Sequence, residues 1–203
     1  TTLLRRDGHT VIEYDIKEGH DVCDPSSIEL DEPIDVLINC AGINRINWLE
    51  DFPESQWDQV MDVNAKGIYM MTRHFLDDLI KTKGTVINIV SNAAHMPMTC
   101  SLAYNASKGA AHIMTLQLAR ELTKKHGITV FGIAPNKMSN TEMSADIDNQ
   151  VVATRGWTKE YAQKYQLQGL LTGEETPPEK VAEFITFLLS TKERHKYLTG
   201  CIL

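Results

Sequence analysis

Four short apolar runs lie along the chain, each about the length of a strand: residues 10–15 (TVIEYD), 34–39 (IDVLIN), 85–90 (TVINIV) and 128–133 (ITVFGI). They are mostly continuous rather than alternating, which suits strands of a parallel sheet buried on both faces. Helical spacing fills the gaps. Val60, Met61, Ile68, Met71 and Phe75 form one apolar face after Pro53-Glu54, a favourable first turn. Ala106, Ala110, Ile113, Met114, Leu118 and Leu122 form a second, stopping at Gly127. Thr176-Pro-Pro-Glu179 has the form of a capping box, followed by Val181, Phe184, Ile185, Leu188 and Leu189 on one face. Gly8 suits the C-cap of a helix whose last turn is Leu3-Leu4-Arg5-Arg6. Strand and helix alternate, so the expected fold class is α/β with a doubly wound, mostly parallel sheet and helices on both faces. Residues 140–172 are polar without a strong period and are expected to be a mobile insertion, or lid, with one short helix.

Composition narrows the function classes. At 203 residues, 42 % hydrophobic and 23 % charged, the chain suits one ordinary globular domain over residues 1–203. The net charge of −7 repels phosphate backbones, so no nucleic-acid partner is expected. The longest apolar runs are too short to span a bilayer. Cysteines at 23, 40, 100 and 201 form no C-x-x-C pattern, so no metal site is expected. Isolated thiols and the lack of a signal-peptide core in TTLLRRDGHT suit a cytoplasmic protein.

Candidate chemistry centres on Tyr104 and Lys108. Four residues apart at the start of a helix, they share one face. A free phenol has a pKa near ~10, and a neighbouring ammonium favours the phenolate, so the pair suits proton transfer. Alone, this spacing arises readily by chance. Ser91 closes the strand that precedes this helix, and in parallel α/β sheets ligands bind beyond the carboxyl ends of strands. Asn39-Cys-Ala-Gly42 ends the neighbouring strand, and Asn64 sits inside an apolar helix where an amide is otherwise unhelpful.

Together these segments resemble the short-chain dehydrogenase/reductases over nearly the whole chain. The resemblance is carried by Asn39-Cys40-Ala41-Gly42, Val63-Asn64-Ala65-Lys66-Gly67, Ser91, Tyr104-Asn-Ala-Ser-Lys108, and Ile133-Ala134-Pro135-Asn136 followed by Thr141. It implies a Rossmann-like fold and a catalytic set of Asn64, Ser91, Tyr104 and Lys108. Tyr104 would be the acid in reduction and the base in oxidation. Ser91 would orient the substrate oxygen. Lys108 would hold the ribose hydroxyls of a nicotinamide cofactor and depress the pKa of Tyr104, and Asn64 would hold a water of the proton relay. Cofactor contacts would come from Asp15, Asp21, Val22, Asn39, Ala41, Gly42, Tyr104, Lys108, Pro135, Asn136 and Thr141. Substrate contacts would come from Ser91, His95, Tyr104 and Trp157. Asp15, ending the first visible run, would repel a 2′-phosphate and so favour NAD over NADP, with Lys17 a counter-signal. The family also pairs the helices over 53–77 and 101–126 across subunits, which implies a homodimer or homotetramer.

The sequence departs from the family pattern in several places. None of the twelve glycines forms G-x-G, and only fourteen residues precede Asp15, fewer than the ~20 that normally follow that fingerprint. Residues 198–203 stop where a last strand is expected to continue. The sequence thus reads as clipped at both ends, lacking its first strand. Residues 10–15 and 36–39 are then expected in one sheet, unpaired, with a slot between them. The helix between Asp15 and Asn39 must be vestigial, and Asn136 replaces a usual Gly. The expected activity is NAD-linked interconversion of a secondary alcohol and a ketone. The segment 91–97 is similar to 2,3-dihydro-2,3-dihydroxybenzoate dehydrogenases, which suggests a cyclic diol. The alternatives are a 3-oxoacyl-thioester reductase and a non-catalytic dinucleotide-binding sensor.

Overall fold

The computed structural model describes residues 1–28 and 30–203. Its centre is a parallel sheet of β1 (Val36–Asn39), β2 (Thr85–Ile89) and β3 (Thr129–Ile133), in that spatial order. Val36 stands opposite Thr85, and Thr85 opposite Thr129, so the three carboxyl ends are level. The loops after all three strands therefore leave from one edge of the sheet. Beyond β3, Ile202 forms an isolated parallel bridge with Gly132. A Cβ on Gly132 would meet Ile202 Cδ1 at 2.6 Å, so the bare glycine permits this approach.

The sheet is covered on both faces, as continuous apolar strands require. Alternate strand residues point to opposite sides. Leu37, Val86 and Val130 pack with Met71, Phe75, Leu79 and Leu122 in one core layer. Ile87, Phe131 and Ile133 pack with Ile185 and Leu188 in the other. The first layer is built by α3 (Gly67–His74), α4 (Leu76–Thr82) and α5 (Leu102–His126), the second by α8 (Pro178–Leu189), while α2 (Glu54–Met61) packs against α5. A single π-helical turn, Asp62–Lys66, joins α2 to α3. The long α5 ends at Gly127, whose φ of +74° suits a glycine C-cap. A short α1 (Thr2–Arg6) precedes Gly8, and among the described residues between Asp15 and β1 the helical elements are two 3₁₀ turns, Ile16–Glu18 and Pro25–Ser27.

Three sequence expectations need correction. Residues 10–15 are not a strand. They pair with no strand, and a cavity of about 660 Å³ separates Thr10, Val11, Ile12 and Tyr14 from residues 36–41. A β-prone run becomes a strand only through a ladder partner, and across this cavity it has none. Second, Thr176 does not cap α8. Its N-cap is Pro177, with no side-chain cap bond, while the Thr176 backbone pairs with Lys137 and Ser139. Third, residues 140–172 hold two helices rather than one. These are α6 (Glu142–Arg155), capped by Thr141, and α7 (Lys159–Gln168), capped by Thr158.

The two helices share a small core of Ile46, Val151 and Ala162, to which Ile147, Val152, Cys100 and Trp157 add. They dock on the loops after β1 and β2. Ile46 N–H donates to Gln150 Oε1 at 2.8 Å, Thr154 Oγ1 to Ile46 O at 3.1 Å, and Arg155 Nη2 to Thr99 O at 2.7 Å. Among the described residues no helix is long and apolar enough to cross a membrane, and no cluster of three or more His, Cys, Asp or Glu could hold a metal ion.

Candidate active site

Ser91 follows the end of β2 in extended backbone, and its Oγ accepts from Ala93 N–H at 3.1 Å, capping a 3₁₀ turn over Asn92–Ala94. That turn fixes the serine at the carboxyl edge of the sheet. Tyr104 stands in the first turn of α5, near enough to Ser91 for that hydroxyl to favour its phenolate, while the Ser91 Oγ itself donates to Asn92 Oδ1 at 3.2 Å. One turn later Lys108 is buried, with its Nζ 5.8 Å from the centre of the Tyr104 ring and donating to Ile89 O at 2.8 Å. An ammonium has three protons to give. Among the described residues only Ile89 O accepts one, so the remaining donors have no partner.

Asn64 lies in the π turn, fully buried, and stitches three elements together. Its Oδ1 accepts from Ile43 N–H at 2.8 Å, and its Nδ2 donates to Ile43 O and Ser107 Oγ, both at 2.9 Å. Both amide protons are thus engaged, so a water could meet only Oδ1. Gly42 keeps this corner open: a Cβ there would lie 3.4 Å from Asn64 Oδ1 and 3.7 Å from Lys108 Nζ.

Burial acts on both titrating groups. It pushes the Tyr104 phenol above its ordinary value, with the Ser91 hydroxyl opposing. It pulls the Lys108 ammonium down to about 8. Desolvation thus outweighs any lowering of the Tyr104 pKa by the Lys108 charge, and the ammonium itself is directed at a backbone carbonyl.

The family described as short chain dehydrogenase matches residues 9–151. The chain belongs to the short chain dehydrogenase family. The 5-keto-D-gluconate 5-reductase of Escherichia coli K12 is 38 % identical over 113 residues, 55 % of this chain and 44 % of that protein. A 3-oxoacyl-[acyl-carrier-protein] reductase of Staphylococcus epidermidis is 31 % identical over 172 residues, 82 % of this chain and 63 % of that protein. The chain thus spans about half to two thirds of these relatives. A short chain dehydrogenase family protein from Francisella tularensis has the same fold, with a TM-score of 0.77 at 24 % identity over 95 % of this chain and 77 % of that one.

The other residues expected to serve a site in this short chain dehydrogenase divide into several groups. Asn39 is turned inward: its Nδ2 donates to Asn88 Oδ1 at 2.8 Å and to Thr72 Oγ1 at 3.4 Å, while Asn88 donates to Thr115 Oγ1 at 2.9 Å. These bonds give the Asn39 side chain a structural task, bracing the sheet against α3 and α5, while Asn39 also lines the large cavity. Ala41 and Val22 line the large cavity. Asp15 and Asp21 are exposed, and each accepts from a backbone N–H two residues on. Asn136 accepts from Asn92 Nδ2 at 2.8 Å, and Asn92 N–H donates to Pro135 O. Thr141 Oγ1 is occupied by Ser144 N–H.

His95 is exposed and sets its ring edge-on to His112 at 4.5 Å; burial, then His95, lowers the His112 pKa. Trp157 packs in the small core under the Arg155 guanidinium, 4.6 Å away, with Tyr161 and Tyr165 around it. That is a packing position, so the structure gives Trp157 a different surrounding from the one expected of a substrate contact. Sequence reasoning gave no role to Ser107, although it stands beside Lys108 and takes one of the two protons of the Asn64 amide.

Proposed function

We propose that the protein interconverts a secondary alcohol and a ketone with a nicotinamide cofactor, and that it favours ketone reduction near neutral pH. The observation that carries this reading is the buried Lys108 ammonium beside the Tyr104 ring, with only Ile89 O taking one of its three protons among the described residues. A cofactor ribose fits those donors. Lys108 would hold its hydroxyls, Tyr104 would stand beside them, and Gly42 leaves room for close approach. When bound, the nicotinamide supplies the hydride.

The chain's own residues manage the proton. A substrate carbonyl placed between Ser91 and Tyr104 would receive a hydrogen bond from each, the Ser91 hydroxyl turning to it from Asn92 Oδ1. As charge develops on that oxygen, Tyr104 gives up its proton. With its pKa raised, Tyr104 is a neutral phenol at pH 7, the form that donates. The Lys108 charge then stabilises the phenolate left behind. Asn64 fixes the Ile43 loop and Ser107 against each other, which keeps Lys108 in place.

The Asp15 carboxylate supports NAD over NADP by repelling a 2′-phosphate. For the substrate we favour a cyclic diol or its ketone, on the similarity of segment 91–97. A 3-oxoacyl thioester is the second reading, favoured by the acyl-carrier reductase aligning over 82 % of the chain against 55 % for the keto-gluconate enzyme. The four thiols are unpaired, which suits a reducing compartment, and on that ground we assign the protein to the cytoplasm.

The test follows NADH and NADPH absorbance on the natural full chain with cyclic diols, keto sugar acids and 3-oxoacyl thioesters. Turnover on one class, lowered at least ~10²-fold by Tyr104→Phe, is the expected result. Wild-type turnover in that variant would remove Tyr104 from the chemistry. Dinucleotide binding without turnover on any class would favour a sensor.

A further inference from the structure

We infer that Glu142 sets the cofactor choice of this site by holding Lys17 away from the adenosine 2′ position. The inference rests on the reading that Asp15 faces the adenosine ribose. The turn at residues 15–17 is tight: Asp15 Oδ1 accepts from Lys17 N–H at 2.9 Å, so one corner carries both a carboxylate and an ammonium. A 2′-phosphate arriving there meets repulsion from Asp15 and attraction from Lys17, and the choice between NAD and NADP depends on which dominates.

Lys17 is not free to act. Its Nζ donates to Glu142 Oε1 at 2.6 Å and to Oε2 at 2.5 Å. The partner comes from the first turn of α6, 125 residues further along the chain. The Thr141 cap fixes that turn, and the contacts of Gln150, Thr154 and Arg155 fix the helix behind it. The pair is exposed, at 64 % and 81 % of the side chains, and exposed ion pairs contribute little to folding. Its effect on charge is larger. With Glu142 in place the corner holds two carboxylates and one ammonium. Without it, Asp15 and Lys17 cancel, and the ammonium is available to a phosphate.

The experiment is a binding titration of NADH and NADPH, read by fluorescence, on the natural full chain. The variants are Glu142→Gln, Lys17→Met, the two combined, and Asp15→Ala. The ratio Kd(NADPH)/Kd(NADH) is expected to fall about three- to tenfold in Glu142→Gln, the scale of one exposed charge-assisted bond. In the Lys17→Met background the same change is expected to do nothing further. An unchanged ratio in Glu142→Gln would overturn the inference. So would an equal fall with Met at position 17, which would mark a diffuse charge effect rather than a released lysine. Asp15→Ala separates the two levels. If it lowers the ratio while Glu142→Gln does not, only the role of Glu142 fails. If it leaves the ratio unchanged, Asp15 does not face the ribose and both readings fall.

Discussion

Lys108 lies 5.8 Å from the centre of the Tyr104 ring, yet its hydrogen bond goes to the carbonyl of Ile89 at 2.8 Å. The two groups are coupled through space rather than through a shared proton. Each is shifted by the same burial in opposite directions: the phenol holds its proton more firmly, and the ammonium less so.

A pH profile follows from that opposition. Tyr104 stays protonated well above neutrality, while Lys108 loses its charge through about pH 8. Ketone reduction at saturating cofactor should hold steady to about pH 8 and then decline as the charge that stabilises the phenolate disappears. The profile of kcat against pH checks it. A decline beginning only above pH 10 would mean that Tyr104 alone sets the limit.

Stability should carry the mark of the same lysine. Its pKa is 10.5 ordinarily and about 8 when folded, so folding releases a proton between these values. Below pH 8 the folded state bears the full cost of a buried charge, on the order of 3 kcal/mol. That cost fades as pH rises from 8 to 10.5. Lys108→Met removes the charge but leaves Ile89 O without its partner, an offset of about 1 kcal/mol. The variant should therefore gain stability relative to wild type at pH 7 and lose that advantage by pH 10. Urea midpoints at the two pH values measure this, and a pH-independent difference would contradict the buried charge.

Lys137 braces the two-helix segment. Its Nζ lies 2.7 Å from Asp148 on α6 and 2.8 Å from Glu175 before α8, and Gln166 on α7 adds a bond of 3.0 Å to Asp148. With side-chain exposures of 15 % for the lysine and 14 % for Asp148, the pair is largely desolvated. Lys137→Met leaves two carboxylates without their cation and should cost about 3 kcal/mol. It should also open α7 to trypsin at Lys159 and Lys164. Thermal melts and limited proteolysis test the two effects separately.

On α3 and α5, Tyr69 and Ile113 are 55 % and 60 % exposed, unusual for side chains of this size. We expect them to be covered by a second copy of the chain. Light scattering should give a dimer or tetramer mass, and Tyr69→Glu with Ile113→Glu should lower it. A wild-type monomer would remove this assignment.

The candidate site was legible because its signals are local. Ser91 closes an apolar run, Tyr104 and Lys108 share a helix face, and Gly127 stops that helix. The bracing bond of Asn39 was not legible because it depends on register with Asn88, and register is set by pairing between distant segments. Residues 10–15 have strand composition but no neighbour to pair with. In 140–172 the spacing of Met143, Ile147 and Val151, and of Trp157, Tyr161 and Tyr165, did carry a helical period. The polar residues between them obscured it. The Lys137 and Lys17 contacts join segments far apart in sequence, and no local pattern announces them.

The π turn at Asp62–Lys66 has a consequence for how this chain can change. Its widened winding gives α2 and α3 independent phases: one half aims Asn64 at Ser107, the other aims Met71 and Phe75 into the sheet layer. Rewinding these same five residues as regular α-helix would rotate one half by roughly 80° against the other. Either the amide would leave its three partners or the aromatic and thioether side chains would leave the core. The wide turn is therefore what lets the Asn64 amide and the core face of α3 be satisfied at once.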